Sequence, residues 1–184
     1  ILKTNENDRE QESITDEMLG NNRVFYLPYL MGERSPHNNP AARATFTGMT
    51  MDTGRVDMTQ AVLEGVAFAI RDSFEVAKSL GINVSETKIC GGGAKSRLWC
   101  RMIANILNIR VCVPVTEEGP ALGAAMLAAV GTGAYRDVYE AAEKIVKVKE
   151  TILPDEEIAG RYEKKYQQFK KIYPALKPVF DEFD

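Results

Sequence analysis

The sequence is poor in the residues that mark several common kinds of functional site. It has one histidine, His37, one tryptophan, and three cysteines, Cys90, Cys100 and Cys112, among 184 residues. No two cysteines have CxxC spacing, and His37 is distant from all three in sequence. A zinc site is therefore not predicted. An odd number of cysteines without a pairing pattern favours buried free thiols in a reducing cytoplasm.

Long apolar runs and an excess of basic charge are also missing. No apolar run approaches the roughly 20 residues of a membrane-spanning helix, so we expect no membrane partner. The net charge is −3, from 23 basic and 26 acidic side chains, which lacks the basic surface that nucleic-acid binding requires. The first ten residues, ILKTNENDRE, resemble neither a signal peptide nor a transit peptide.

The hydrophobic content, 45% of residues, is sufficient for one substantial core. Residues 1–23 are polar and are predicted to be a lead-in from a longer chain, with one α/β domain over residues 24–184. Short β-prone runs at residues 24–27 and 44–49 predict two strands.

Two amphipathic helices are predicted from apolar residues at helical spacing. The first begins at Asp57, which with Gln60 has the spacing of a capping box, and ends at Gly81. Its predicted apolar stripe consists of Val62, Val66, Ile70, Phe74 and Ala77. The last helix begins at Asp155, and its stripe consists of Ile158, Tyr162, Tyr166, Phe169 and Tyr173.

A strand–helix–strand unit is predicted between these two helices. Residues 87–90 and 110–114 are typical of strands, and residues 96–108 of the helix that joins them. Such a unit implies parallel strands with a right-handed crossover. A helix of small residues, ALGAAMLAAV, follows residue 120, and another helix is predicted over residues 138–146.

Two glycine-containing loops follow the strands of this unit. The first is GGGAKS, residues 91–96, and the second is EGPA, residues 118–121. Glycine lets backbone N–H groups approach a ligand, and a helix N-terminus favours an anion. Both loops would lie at the carboxyl ends of parallel strands, where open α/β sheets bind ligands.

The loops alone do not fix a function. GGGAKS matches neither the Walker A pattern nor GxGxxG, and tight turns also use glycine without any ligand. From the residues, a nucleotide site and a purely structural turn both stay open.

A longer pattern resembles the FGGY carbohydrate kinases. ATFTGM, residues 44–49, followed after seven residues by DMTQAVLE, residues 57–64, matches the second signature of that family. GGGAKSRLW is similar to its adenosine motif, and EGPALGAA to a neighbouring turn of its nucleotide lobe. The resemblance implies an ATP-dependent sugar kinase, of which this chain is the C-terminal, actin/hexokinase-like (ribonuclease H-like) lobe.

The resemblance also implies site residues and partners. ATP with Mg²⁺ would be the cofactor, and a small sugar and the N-terminal lobe of the same enzyme would be the partners; a homodimer is compatible with the resemblance. The catalytic aspartate is expected upstream of this chain, so Asp52, Asp57 and Asp72 are not assigned that role. The implied nucleotide contacts are Gly91, Gly92, Gly93, Ala94, Lys95, Ser96, Glu118, Gly119 and Ala121.

The sugar is suggested by the loop LPYLMGERSPHNNP, residues 27–40, which is most similar to the xylulose kinases within the family. Gluconate, glycerol and ribulose kinases are the alternatives. Glu33, Arg34 and His37 of this loop are expected to brace the lobe rather than to contact sugar. A further alternative is a non-catalytic interaction domain that retains the fold, because fold alone does not fix function.

Overall fold

The computed structural model describes residues 9–116 and 119–183. Two short strands come first, β1 (Phe25–Leu27) and β2 (Thr45–Thr47), and they pair antiparallel. Helix α1 (Arg55–Ser79) follows and packs against β1. Both predicted strands and the long helix are therefore confirmed.

The start of α1 differs by two residues from the prediction. Asp57 is the third residue of the helix rather than its cap, and its carboxylate accepts a hydrogen bond from the Gly54 N–H at 2.8 Å. This is the reciprocal half of a capping box, which satisfies an amide that the helix itself leaves open.

The face that α1 buries also differs from the prediction. Ile70 of the predicted stripe is exposed, and the other four members are only half-buried. The buried side chains of α1 are Thr59, Gln60, Ala61, Glu64, Ala67, Phe68 and Asp72. Four of these are polar and bond to partners on other elements, so hydrophobicity alone did not identify this face.

The second sheet contains the predicted parallel pair. Strands β3 (Glu86–Lys88) and β4 (Arg110–Pro114) are parallel and are connected through helix α2 (Arg97–Leu107). Strand β5 (Val148–Ile152), which was not predicted, adds antiparallel to β4. Three of its five side chains, Lys149, Glu150 and Thr151, are polar, so the strand gives little hydrophobic signal.

The C-terminal half is helical. Helices α3 (Gly119–Gly131) and α4 (Val138–Ile145) pack against each other. No residue of α3 is buried, although the helix contains only Gly, Pro, Ala, Leu, Met and Val. Helices α5 (Glu156–Phe169) and α6 (Ile172–Phe180) take the place of the one predicted last helix.

The predicted last helix is correct in its start and in its buried face. The Asp155 side chain caps α5 by accepting from the Ile158 N–H at 3.0 Å. All five residues of the predicted stripe are buried. Tyr173, however, belongs to α6, because the chain breaks its helical course at Lys170 and Lys171.

The core lies between α1, α2 and α5, and the lead-in contributes to it. Leu19 is fully buried and Ile14 nearly so, and both pack in the same cluster as Phe68 and Tyr162. The described part of the lead-in, residues 9–23, is thus tied to the domain, while residues 1–8 lie outside the described residues. The boundary at residue 24 stays a prediction.

The cysteines only partly follow the expectation of buried thiols. Cys100 and Cys112 are free and buried, but Cys90 is free and exposed at the end of β3. Among the helices of the described part of the chain, none combines the length and the apolar character needed to cross a membrane.

Candidate functional site

The glycine-rich turn follows β3 and precedes α2. Gly91 has φ of +79°, a conformation that favours glycine. Gly92–Lys95 then form a 3-10 helix, in which the Ala94 N–H donates to the Gly91 carbonyl at 3.1 Å. The amides of Gly92 and Gly93 precede this first internal bond, so they have no hydrogen-bond partner within the turn.

Ser96 separates this turn from α2. Its hydroxyl caps the helix by accepting from the Trp99 N–H at 3.2 Å. The three glycines therefore do not open α2 directly, because a separate helical turn lies between them and the helix.

The turn is uncovered. All three glycines are exposed, and a Cβ atom added at Gly91 or Gly92 would have no atom within 4 Å. At Gly93, an added Cβ would lie 3.0 Å from Nε1 of Trp99. Side chains of the domain thus leave the backbone of this turn accessible, with the indole ring alongside its last glycine.

Two cavities border the turn. The larger has a volume of about 660 Å³, and Gly92, Gly93, Lys95, Ser96 and Trp99 are among its lining residues. The smaller, of about 170 Å³, is lined in part by Gly91, Ala94 and Lys95. The predicted residues of the first loop are therefore divided between two adjoining cavities, with Lys95 bordering both.

The second predicted loop approaches the first. A Cβ atom added at Gly119 would collide with the Sγ atom of Cys90, so the start of α3 lies against the end of β3. Glu118 lies outside the described residues. Ala121 is exposed and lines neither of the two cavities. Among the described residues of the second loop, Gly119 is thus brought beside the glycine-rich turn.

The lead-in forms part of the larger cavity, which the sequence did not indicate. Gln11 and Glu12 line it, and the Ser96 hydroxyl donates to Oε1 of Gln11 at 2.8 Å. Glu10 accepts from Thr59 and from Arg55 on α1, and these bonds lower the pKa of its carboxyl. A polar segment gives no pattern that reveals such contacts.

Trp99 has two roles in the packing. Its side chain is half-buried and packs against the main core cluster. It also lines the larger cavity beside Gly93. The indole therefore forms part of the apolar surface of this cavity, together with Leu63 of α1.

The loop over residues 28–40 is held by its own hydrogen bonds. The Glu33 carboxylate accepts from the backbone N–H groups of Ser35 and His37, both at 2.7 Å. The His37 ring stacks on Tyr173 of α6 at 3.8 Å between ring centres. These contacts agree with the expected bracing role, whereas Arg34 is exposed.

The aspartates left without a catalytic role have structural positions. Asp57 bonds to Gly54, and Asp72 accepts from the Tyr166 hydroxyl at 2.6 Å. In the described ranges 9–116 and 119–183, no group of three or more His, Cys, Asp or Glu side chains is arranged to hold a metal ion.

The fold and the site define a mixed α/β domain in which a glycine-rich turn after a parallel strand borders an open cavity. Residues 3–132 match the model of the FGGY family of carbohydrate kinases, C-terminal domain. The chain belongs to this family, as the resemblance of its motifs implies.

Individual relatives agree with this membership. The chain is 35% identical over 162 residues to a xylulose kinase of Staphylococcus xylosus, covering 88% of this chain and 34% of that protein. It is 37% identical over 157 residues to a xylulose kinase of Escherichia coli (strain K12), covering 85% and 32%. The chain thus spans about a third of the length of these relatives.

Solved structures confirm the fold. A gluconate kinase from Lactobacillus acidophilus superposes with a TM-score of 0.87 at 24% identity, covering 99% of this chain and 36% of that one. At this identity the likeness concerns the fold alone. Together with the family match, this likeness identifies the chain as the α/β C-terminal part of the two-lobe sugar-kinase fold.

Proposed function

We propose that this chain is the nucleotide-binding part of an ATP-dependent sugar kinase, which transfers the γ-phosphate of ATP to a hydroxyl of D-xylulose. The observation that carries the proposal is the uncovered glycine-rich turn beside the cavity of about 660 Å³. The positive φ of Gly91 and the closeness of Gly93 to Trp99 account for two of the glycines, but neither applies to Gly92. Exposed backbone amides at this turn suit a phosphate-bearing ligand.

In this proposal the backbone of Gly92 and Gly93 donates to the phosphate or ribose oxygens of the nucleotide. Ser96 borders the nucleoside, and Lys95 and Arg97, which line the same cavity, supply positive charge. Gly91, Ala94 and Gly119 shape the adjoining wall. Glu118 and Ala121 remain proposed contacts of the second loop.

Magnesium enters this proposal with the nucleotide rather than through the described residues. Mg²⁺ in kinases is held largely by phosphate oxygens and by one or two carboxylates, and it neutralises charge on the triphosphate. We propose that the carboxylate ligands of the ion come from the rest of the enzyme.

The choice of D-xylulose is supported by the relatives in sequence. Both the S. xylosus and the E. coli proteins are xylulose kinases, and the loop over residues 27–40 resembles that subgroup. The catalytic aspartate and most sugar contacts are assigned to an N-terminal lobe. Closure of two such lobes would exclude water and align the γ-phosphate with the sugar hydroxyl.

Gly92→Val tests the site. An added Cβ at Gly92 has no atom within 4 Å, and the residue has no positive φ, so the fold should be retained while the side chain blocks the cradle. We expect ATP binding, measured by calorimetry, to be lost, with an unchanged circular dichroism spectrum and melting temperature.

Gly160→Val is the matched control, because Gly160 on α5 has equally open surroundings and lies outside both cavities. It should retain ATP binding. Unchanged ATP affinity in Gly92→Val would contradict the proposed role of the glycines. Comparison of xylulose, ribulose, gluconate and glycerol as acceptors, with the longer enzyme, tests the sugar.

A further inference from the structure

The cavity beside the glycine-rich turn has a wall that the family motifs do not include. Gln11 and Glu12, in the helical turn at residues 9–12, line it together with Gly92, Gly93 and Trp99. These two side chains come from the polar lead-in, whereas the motif residues come from the β3–α2 connection.

This wall is fixed in place from both sides. Glu10 bonds to Thr59 and to Arg55 on α1, the latter at 2.7 Å. Asp16 bonds to Arg101 on α2 at 2.7 Å, and Ile14 between them is buried in the core. The segment therefore bridges α1 and α2 across the cavity, and Gln11 and Glu12 are held on a defined backbone.

The hydrogen bond to Ser96 orients the Gln11 amide. Oε1 accepts from the Ser96 hydroxyl at 2.8 Å, and the Ser96 oxygen is itself engaged by the Trp99 N–H. With Oε1 committed to Ser96, the Nε2 group of Gln11 is available as a donor. The carboxylate of Glu12, in contrast, can only accept.

The cavity is asymmetric in its chemistry. Lys95 and Arg97 and the glycine amides suit phosphate oxygens. The carboxylate of Glu12 would repel phosphate but accepts hydrogen bonds from an amine. Leu63 and Trp99 present apolar surface of the kind on which an aromatic ring lies.

We infer that Gln11 and Glu12 form the wall that contacts the purine base, and that they select adenine over guanine. Gln11 donates to a ring nitrogen, and Glu12 accepts from the exocyclic amine of adenine. Guanine has a carbonyl oxygen at the equivalent position, which would face the Glu12 carboxylate as a second acceptor. This inference rests on the proposed function and assigns the specificity of the same site.

Two substitutions test the wall. Gln11→Met keeps the length of the side chain and removes both hydrogen bonds, and Glu12→Gln keeps the shape and adds a donor. Matched controls are Gln168→Met and Glu17→Gln, which make the same changes at exposed residues that do not line the cavity. ATP, GTP and inorganic triphosphate are the probes.

Binding can be followed in the 184-residue chain by the emission of Trp99, its only tryptophan, with calorimetry as the second measurement. We expect Gln11→Met to weaken ATP binding about fivefold, typical of one lost hydrogen bond. We expect Glu12→Gln to reduce the preference for ATP over GTP about tenfold. Gln11→Met should leave the affinity for inorganic triphosphate, which has no base, unchanged. Glu12→Gln removes a negative charge from the cavity and so should not weaken triphosphate binding.

The outcomes separate this inference from the proposed function. If Gly92→Val loses ATP while both wall variants bind ATP and GTP as the unaltered chain does, the base-contacting role is wrong and the proposed function stands. Equal loss of ATP and inorganic triphosphate in the wall variants would also overturn it, since that pattern indicates a structural effect. Absence of ATP binding by the unaltered chain would overturn both.

Discussion

Asp72 shows how burial opposes the ionisation of a single carboxyl group. It lies on the buried face of α1 and is only 9% exposed. Burial raises the pKa of its carboxyl, and the nearby Glu33 carboxylate acts in the same direction. The Tyr166 hydrogen bond and the charges of His37 and Lys170 lower the pKa in part, but the balance remains upward.

This raised pKa predicts a pH-dependent effect of Asp72→Asn. Since the folded pKa lies above the unfolded one, Asp72 contributes stability at low pH that is lost as the pH rises through the folded value. Asparagine can still accept from Tyr166 and never ionises. We therefore expect the free energy of unfolding of Asp72→Asn, relative to that of the original chain, to increase as the pH rises from about 4 to about 8.

Urea unfolding of both chains at the two pH values measures this difference. Asp52→Asn, at an exposed residue, is the control and should show little change with pH. A stability difference for Asp72→Asn that does not vary with pH would show that Asp72 ionises alike in the folded and unfolded chains.

At the scale of the elements, α1 and α5 are joined by a buried ion pair. The ammonium of Lys165 contacts the carboxylate of Glu64, and their side chains are 3% and 1% exposed. Burial lowers the pKa of Lys165, and Glu64 opposes this shift. Gln60 also donates to Glu64, at 2.8 Å, so the pair belongs to a larger hydrogen-bonded cluster.

We predict that Lys165→Met lowers the free energy of unfolding by about 3–5 kcal/mol, because it leaves Glu64 buried without its partner charge. The double variant Glu64→Leu, Lys165→Met should lose much less, since it removes both charges. Denaturant titrations of the two chains, with Lys164→Met at an exposed residue as control, measure the values. Equal losses in the single and double variants would refute an electrostatic origin.

The elements that sequence patterns predicted are those with local signals. Strand β4 contains β-branched valines, which favour strands. Helix α2 is capped by Ser96 and helix α5 by Asp155, both of which are residue types typical of helix starts. Strand β5 was missed because it is mostly polar, and it is stabilised by pairing with β4. Similarly, Glu64 is buried on α1 because it pairs with Lys165, which is 101 residues later in the chain. A local sequence pattern does not reveal such a distant partner.

The candidate site was likewise predictable only where its residues give a local sequence signal. Glycines and a capping serine stand out in the sequence, so the turn at residues 91–96 could be identified beforehand. Gln11 and Glu12 are ordinary polar residues in a polar segment. The packing of Ile14 and Leu19, with the bonds of Glu10 to α1 and of Asp16 to α2, brings them to the cavity. The apolar residues Ile14, Met18 and Leu19 of that segment form no regular pattern, so they did not predict this packing.

At the scale of the whole molecule, the chain spans about a third of its relatives. We predict that the 184-residue chain alone does not phosphorylate D-xylulose and binds ATP weakly, with a dissociation constant above about 0.1 mM, because the catalytic aspartate is assigned to another lobe. A coupled ADP-release assay and calorimetry test this. Sustained xylulose phosphorylation by the isolated chain would refute it.

Helix α3 has a practical consequence for work with this chain. None of its apolar side chains is buried, and Leu127 is 64% exposed. Such an exposed apolar surface favours aggregation at high protein concentration. Crystal growth and NMR both need concentrated material. A charged replacement such as Leu127→Glu would therefore ease handling before any of the measurements on the glycine-rich turn begin.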